Sequence, residues 1–239
     1  MKLIKENLNF WPPFVDFMLF LVLLVIFAFS VAYSLIILKY VDITKAISCQ
    51  EKMKNLLLQN SQFTKIDSLE NAYTIYFNDN YGEYYISLIN ELQLQRIRVS
   101  TGLLFDKNDY RISKRGYSIL KYLGNAIRSN LDCIQRIQIE GHADTDPTTK
   151  FRSNLELAGL RAFEIFYFLK DSIGISPSRY LISAASFGEY KPVNRYEDSY
   201  FDEDSLISSN SNEEKKSLNR RVEFLIKRDD ILFSFKLTR

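Results

Sequence analysis

Two groups of residues in this chain have types and spacings that could do chemistry. The first is a single carboxylate, Asp16, in the apolar run FVDFMLFLVLLVIFAFSVAYSLIIL from Phe14 to Leu38. Apart from Tyr33 it is the only ionisable residue there. A carboxylate at the centre of a membrane span costs about 2.5–3.5 kcal/mol on insertion scales, and less near the interface. Such a residue handles an ion, finds a partner, or sits at the boundary and reaches the headgroups; Pro13 just ahead leaves the last reading open. The second group is spread over three short pieces: His142, Asp144 and Asp146; Asn154 and Arg161; Asn219, Arg220 and Arg221. No nucleophile–base pair can be assembled, because Ser153 and Thr145 lack an activating base, so the chain does not read as an enzyme. Carboxylate and guanidinium side by side suit a ligand carrying both an ammonium and a carboxylate. An internal Asp–Arg salt bridge tying helix to loop is the competing account.

The elements that must position these residues follow from periodicity. Residues 14–38 are long and apolar enough for a spanning helix, and too long for a signal-peptide core. Residues 40–70 read as a helix leaving the membrane, with Val41, Ala46, Ile47, Met53, Leu56 and Leu57 as its apolar positions. AYTIYF and EYYISL, separated by NDNYG, read as a hairpin. LQLQRIRV (92–99) alternates strictly and reads as a half-buried strand. Residues 112–130 form an amphipathic helix on Ile119, Leu120, Leu123 and Ile127, with Ser113 as N-cap. IQRIQIE (134–140) alternates with a slip near Arg136 and enters GHADTD. A helix follows from Asn154 to Leu169, ended by Gly174 and Pro177. RYLISAAS and RRVEFLI are further strands, with a continuation around Ile231–Phe235. The acidic stretch 196–217 reads as a mobile surface loop. The order β-α-β-α-β-β predicts an α/β sandwich with helices on a mixed sheet. The expected segments are a lead at 1–13, the transmembrane helix at 14–38, a linker or plug with the hairpin at 39–94, and the sandwich domain at 95–239.

A net charge of +2 over 239 residues points to neither nucleic acid nor an acidic substrate. The lone His142 and two cysteines give no metal spacing. Cys133, just before a strand, is expected to be buried as a free thiol; a disulfide with Cys49 is open to an oxidising compartment. Lys2 and Lys5 precede the span while Lys39, Lys45, Lys52 and Lys54 follow it, so the positive-inside count mildly opposes a cytoplasmic N-terminus.

The motifs carry a resemblance. IEGHADTD, then Asn154, Leu157, Arg161 and Ala162 in the pattern N-x-x-L-x-x-x-R-A, then NRRVE (Asn219–Glu223), are similar to the OmpA-type peptidoglycan-binding domain, and GLLFDKNDYRIS (Gly102–Ser113) resembles that domain's opening strand and loop. The resemblance implies that Asp144 and Arg161 hold the diaminopimelate of a wall stem peptide, that Asn154 lines the same pocket, and that Arg220 and Arg221 lie near it. The chain departs from the pattern at Ala143, at DPTTKF after the aspartate, and at Ala158. FWPPFVDFMLFL resembles the membrane signature of MotB-type stator subunits. That resemblance implies a dimer inside a ring of MotA-like partners in the bacterial inner membrane. The N-terminus would be cytoplasmic and the wall-binding domain periplasmic, with Asp16 carrying H⁺ or Na⁺ and no bound cofactor. Ser34 falls on about the face of Asp16 with Ser30 close by, as ion-path positions or as small polar residues bonded locally. The short lead and altered domain motif lean towards the ZorB-like form of Zorya anti-phage systems. A flagellar stator subunit, or a wall tether without ion flux, are the alternatives.

Overall fold

The long apolar run continues without a break into a polar helix. In the computed structural model, which describes residues 11–59, 65–69, 72–79, 82–91, 94–195 and 200–228, helix α1 spans Trp11–Leu58. The chain divides into two compact units, one holding the described residues up to Ile43 and the other beginning at Thr44. In the first unit the large apolar side chains between Phe14 and Leu38 are exposed. Mean hydropathy there reaches 2.9, long and apolar enough to cross a membrane. At 1.5 Å per residue this stretch measures about 37 Å, more than the roughly 30 Å hydrocarbon core.

In the second unit the same helix turns amphipathic. Ala46, Cys49, Gln50, Met53 and Leu57 form its buried stripe, whereas Ile47, like Val41 in the first unit, is exposed. Cys49 is joined to Cys133 by a disulfide, so the expected free thiol at Cys133 is corrected. Both cysteines are buried, and the pairing that the sequence left open is formed. The helix expected over 40–70 stops at Leu58, and β1 (Lys65–Leu69) follows. Pairing of β1 with β2 (Ala72–Asp79) overrides a weak helical period there.

The hairpin forms as expected, β2 against β3 (Gly82–Asn90). It joins the same sheet as β4 (Leu94–Ser100), so one sheet runs through the expected boundary at 94/95. β4 is followed not by a strand but by the short helix α2 (Thr101–Leu104) and an isolated bridge between Phe105 and Ile112. This corrects the expected opening strand; the strand is β4 itself. Helix α3 (Lys114–Arg128) is capped by Ser113, which accepts from the Gly116 N–H. β5 (Ile134–His142) shifts register against its neighbour between Ile134 and Arg136, where the sequence slips. Helix α4 (Asn154–Tyr167) runs into a π turn at Phe168–Ser172 and stops near Gly174, whose φ is +79°. β6 (Leu181–Gly188) is followed by two short helices, α5 (Glu203–Ser208) and α6 (Glu213–Asn219). These replace the expected mobile loop over its described part. Asp202 and Asn212 cap them, accepting from the Ser205 and Lys215 N–H groups; side-chain caps of this kind stabilise short helices in acidic sequence. The supposed strand at Ile231–Phe235 lies outside the described residues.

β7 (Arg221–Arg228) is last in sequence among the described strands but central in space. The sheet order is β1-β2-β3-β4-β7-β5-β6, mixed, with β5 and β6 parallel and the other pairs antiparallel. Ile97, Val99, Ile137, Ile139, Val222, Phe224 and Ile226 pack with Leu120, Leu123, Ile127, Ala162 and Ile165 in one core. This is the α/β sandwich that the periodicity predicts. Insertion of β7 sets Val222 beside Gly141 and Arg221 beside Ser100. It therefore brings the β5 exit, the β7 entry and the β4 exit to one end of the sheet. Gly141 lets α4 close on that end: a Cβ there would sit 2.0 Å from the Ala158 carbonyl oxygen.

Candidate functional site

At this end of the sheet lies a cleft of about 1160 Å³, whose walls include Asp144, Asn154, Arg161 and Arg220. With Asp146 also in the wall, five of the sequence-derived positions thus meet. Asp144 follows β5 in a turn closed by its own Oδ1, which accepts from the Asp146 N–H at 3.3 Å. Asn154 fixes that turn by donating its Nδ2 to the carbonyls of Asp144 (3.1 Å) and Asp146 (3.0 Å). Its role in this structure is to hold the loop. Ser153 caps α4, accepting from the Glu156 N–H at 3.2 Å.

Arg161, two turns into α4, is buried to 7% exposure. Its Nε donates to the Asp109 carbonyl at 3.0 Å and its guanidinium lies 5.2 Å from the Phe105 ring centroid. Among the described residues no carboxylate comes within ion-pair distance of it. Burial pushes its pKa down to about 10, against the opposing charges of Asp109 and Asp144. A desolvated guanidinium without a counter-ion is a ready site for an incoming carboxylate. The Asp144–Arg161 bridge that would have made this pair purely structural is absent. Asp144 instead receives Nη1 of Arg220 at 2.6 Å, and the other terminal nitrogen of Arg220 pairs with Glu213. Burial works against the charge of Arg220, but Glu213 and Asp144 outweigh it and raise its pKa. Asp146 pairs with Lys216 at 2.6 Å.

The remaining positions are elsewhere. Arg221 is not in the cleft, which corrects its expected place beside Arg220. Alternation along β7 turns it the same way as Glu223 and away from Val222. Its Nε donates to Glu223 at 2.5 Å and Nη2 to the Lys191 carbonyl at 3.2 Å. His142 is also withdrawn, stacked on Phe187 with 5.4 Å between ring centroids and with Nδ1 3.2 Å from the Lys191 carbonyl. Burial, reinforced by Arg221 and opposed by Glu140, lowers its pKa. Asn219 accepts from the Val193 N–H and donates to Ser209 and Asn210, latching α5 and α6 to the domain. The sequence reading missed Phe105, Asn108 and Asp109, which shape the Arg161 side of the cleft or hold its guanidinium. They lie inside the motif Gly102–Ser113, which was read only as a whole. It also missed Glu213, hidden in a supposed loop.

Glu140, His142 and Glu223 approach within 4.8 Å of one another through potential ligand atoms, the spacing of a metal site. Their carboxylate oxygens are already engaged. Glu223 receives Arg96 at 2.6 Å, Arg98 at 3.0 Å and Arg221 at 2.5 Å, while Glu140 receives Lys191 at 3.1 Å and Gln138 at 2.8 Å. Four cations around two carboxylates leave no charge for a metal to neutralise, so the cluster is structural.

On α1, Asp16 is exposed. Ser34 donates its hydroxyl to the Ser30 carbonyl at 2.9 Å, which is the local bonding foreseen as one of its two accounts.

Residues 104–200 match the OmpA family. Motility protein B of Bacillus subtilis (strain 168) is 28% identical over 179 residues, covering 74% of this chain and 57% of that protein. The chain thus matches little more than half the length of this curated relative. The crystal structure of a MotB-like protein from Desulfovibrio vulgaris aligns with TM-score 0.60 at 19% identity, over 80% of this chain and 99% of that one. The periplasmic domain of Helicobacter pylori MotB aligns at TM-score 0.48 and 23% identity, over 65% and 88% of the two chains. Behind its long apolar helix, this chain carries a mixed α/β domain that matches the OmpA family over residues 104–200 and shares its fold with the MotB-like structure from Desulfovibrio vulgaris.

Proposed function

We propose that this chain is the MotB-like B subunit of an ion-driven membrane motor, anchored to peptidoglycan by its OmpA-like domain. One observation carries the reading. A cleft presenting a desolvated, carboxylate-free Arg161 beside Asp144 stands on the same chain as an apolar helix with a lone carboxylate, Asp16. The cleft suits the zwitterionic end of a diaminopimelate stem peptide, carboxylate to Arg161 and ammonium to Asp144. Asp16 suits a site that binds and releases H⁺ or Na⁺ as a MotA-like ring turns about a dimer of this chain. The Cys49–Cys133 disulfide favours an oxidising compartment for the domain, and hence a periplasmic C-terminus and a cytoplasmic N-terminus despite the lysine count. The departures at Ala143 and DPTTKF favour a non-flagellar motor, such as the Zorya type, over a flagellar one.

Asp16→Asn should abolish function while leaving membrane insertion and copurification with the MotA-like partner intact; full activity in that variant would remove the ion-carrier role. Asp144→Ala and Arg161→Ala should each weaken pull-down by purified sacculi by about tenfold or more, the size of a lost charge-assisted contact. Equal pull-down by both variants and wild type would end the wall-binding reading. A wall tether without ion flux is the second reading. It is favoured by the Ser34–Ser30 bond, which turns one of the two candidate path hydroxyls back onto the helix.

A further inference from the structure

We propose that Arg220 is an internal stand-in for the ligand's ammonium, a latch that makes the cleft selective for ligands presenting ammonium and carboxylate together. The inference rests on the wall-binding reading of the cleft and assigns Arg220 a role opposite to direct binding.

The two halves of the cleft are unequal. The anionic half is closed: Asp144 Oδ2 is held by Arg220 at 2.6 Å and its Oδ1 by the Asp146 N–H at 3.3 Å. The cationic half is open, because Arg161 has only a backbone carbonyl and a ring face for company. An ammonium approaching Asp144 Oδ2 meets the oxygen already engaged by Arg220 and must compete with it there. Such an exchange replaces one cation by another at the same carboxylate, so an amine alone gains little. A carboxylate arriving at Arg161 contacts a buried charge that the free protein leaves with only the more distant Asp109 and Asp144 to offset it, and there the net gain lies. Only a ligand delivering both groups opens the latch and fills the vacancy.

The displaced guanidinium has somewhere to go. Arg220 already pairs with Glu213, whose carboxylate on the first turn of α6 is largely exposed. The Arg220 side chain is one-third exposed, so it can move without opening the core. Its backbone stays in place, since its carbonyl accepts from both the N–H (2.9 Å) and the hydroxyl (3.2 Å) of Thr101. The motion is confined to one side chain shuttling between two carboxylates.

The test uses the full chain in detergent and calorimetric titration with two probes. These are meso-diaminopimelate and pentane-1,5-diamine, which keeps the amines and lacks both carboxylates. Arg220→Gln should bind diaminopimelate roughly tenfold more tightly than wild type and acquire measurable diamine binding, reflecting removal of one charge-assisted competitor. Glu213→Gln should shift the other way, because Arg220 then has Asp144 as its only carboxylate and leaves it less readily. Weakened binding in Arg220→Gln, comparable to Arg161→Ala, would make Arg220 a direct ligand contact and overturn the latch. Unchanged affinities in both variants would overturn it as well. Should Arg220→Gln fail to fold, Glu213→Gln decides alone, since its site is on the surface: weaker binding supports the latch, and equal or tighter binding overturns it. Wild-type affinity in both Asp144→Ala and Arg161→Ala would remove the cleft as the ligand site and the latch with it.

Discussion

Arg220 and Arg221 are neighbours in sequence and serve two clusters that treat charge in opposite ways. Behind the sheet, Arg221 joins Arg96, Arg98 and Glu223, with Lys191, Glu140 and His142 alongside. Every carboxylate oxygen there has a cation or an amide on it. Burial alone would raise the Glu223 carboxyl, yet Arg221, Arg98 and Arg96 outweigh it and hold it well below the usual range. In the cleft, Arg220 faces Asp144 and Glu213, while Arg161 has been taken out of water and given no carboxylate. The residue types are the same. The difference is that one cluster is closed within the chain and the other is one anion short. An acid–base census therefore finds both, and only the second has the incompleteness expected of a binding site.

The strongest way to break the comparison is to make the closed cluster incomplete. Glu223→Ala would strand the guanidiniums of Arg98 and Arg221 and leave Arg96 only Glu91 at 3.6 Å, and should cost about 3–5 kcal/mol of stability, measured by urea unfolding of the full chain in detergent. Arg161→Ala removes a charge with no carboxylate in contact, so it should cost only its hydrogen bond to the Asp109 carbonyl and its packing on Phe105, about 1–2 kcal/mol, while wall binding falls. If the two variants lost similar stability, the clusters would not differ in kind.

Acid should act on the closed cluster in two steps. The folded pKa of His142 is depressed, so the stability associated with its neutral form is present above about pH 6.5 and is lost as pH falls towards the folded value. The folded pKa of Glu223 is likewise depressed, so its contribution is present above about pH 4.3 and is lost at still lower pH. Unfolding midpoints measured from pH 8 to pH 3 should therefore decline in two stages, with the first absent in His142→Asn. A flat profile across the first stage in the unmodified chain would show that His142 does not couple to folding.

The smallest effect is expected where charges belong to neither cluster. Asp204→Asn on α5 should change neither the unfolding midpoint nor sacculus binding, since no described residue pairs with it. A loss of binding there would extend the site beyond the cleft.

Much of the architecture was legible locally. Strict alternation in LQLQRIRV and IQRIQIE marks β4 and β5, the slip at Arg136 is a real register shift, and Ser113 does cap α3. These depend on contacts a few residues apart, and periodicity records them. Asp144, Asn154 and Arg161 were legible as a set only through the resemblance that their motifs carry; the residues alone left an internal salt bridge equally open. The cleft's electrostatics were not legible. Whether Asp144 meets Arg161 or Arg220 depends on β7 entering between β4 and β5, and that insertion is a pairing over more than a hundred residues. The acidic stretch 196–217 reads as a mobile loop because its composition favours solvent; over its described part, 200–217, capping by Asp202 and Asn212 and the latch at Asn219 hold two helices on the domain.

The amino-acid order alone thus determined a long apolar helix with one carboxylate, an alternating α/β domain, and the carboxylate and guanidinium residue types that line the cleft. Only the tertiary structure decided which charges cancel. Periodicity reports which face of an element is buried, whereas the pairing of charges depends on which strands become neighbours. That choice joined Cys49 to Cys133, withdrew Arg221 and His142 behind the sheet, set Arg220 on Asp144, and left Arg161 without a counter-ion.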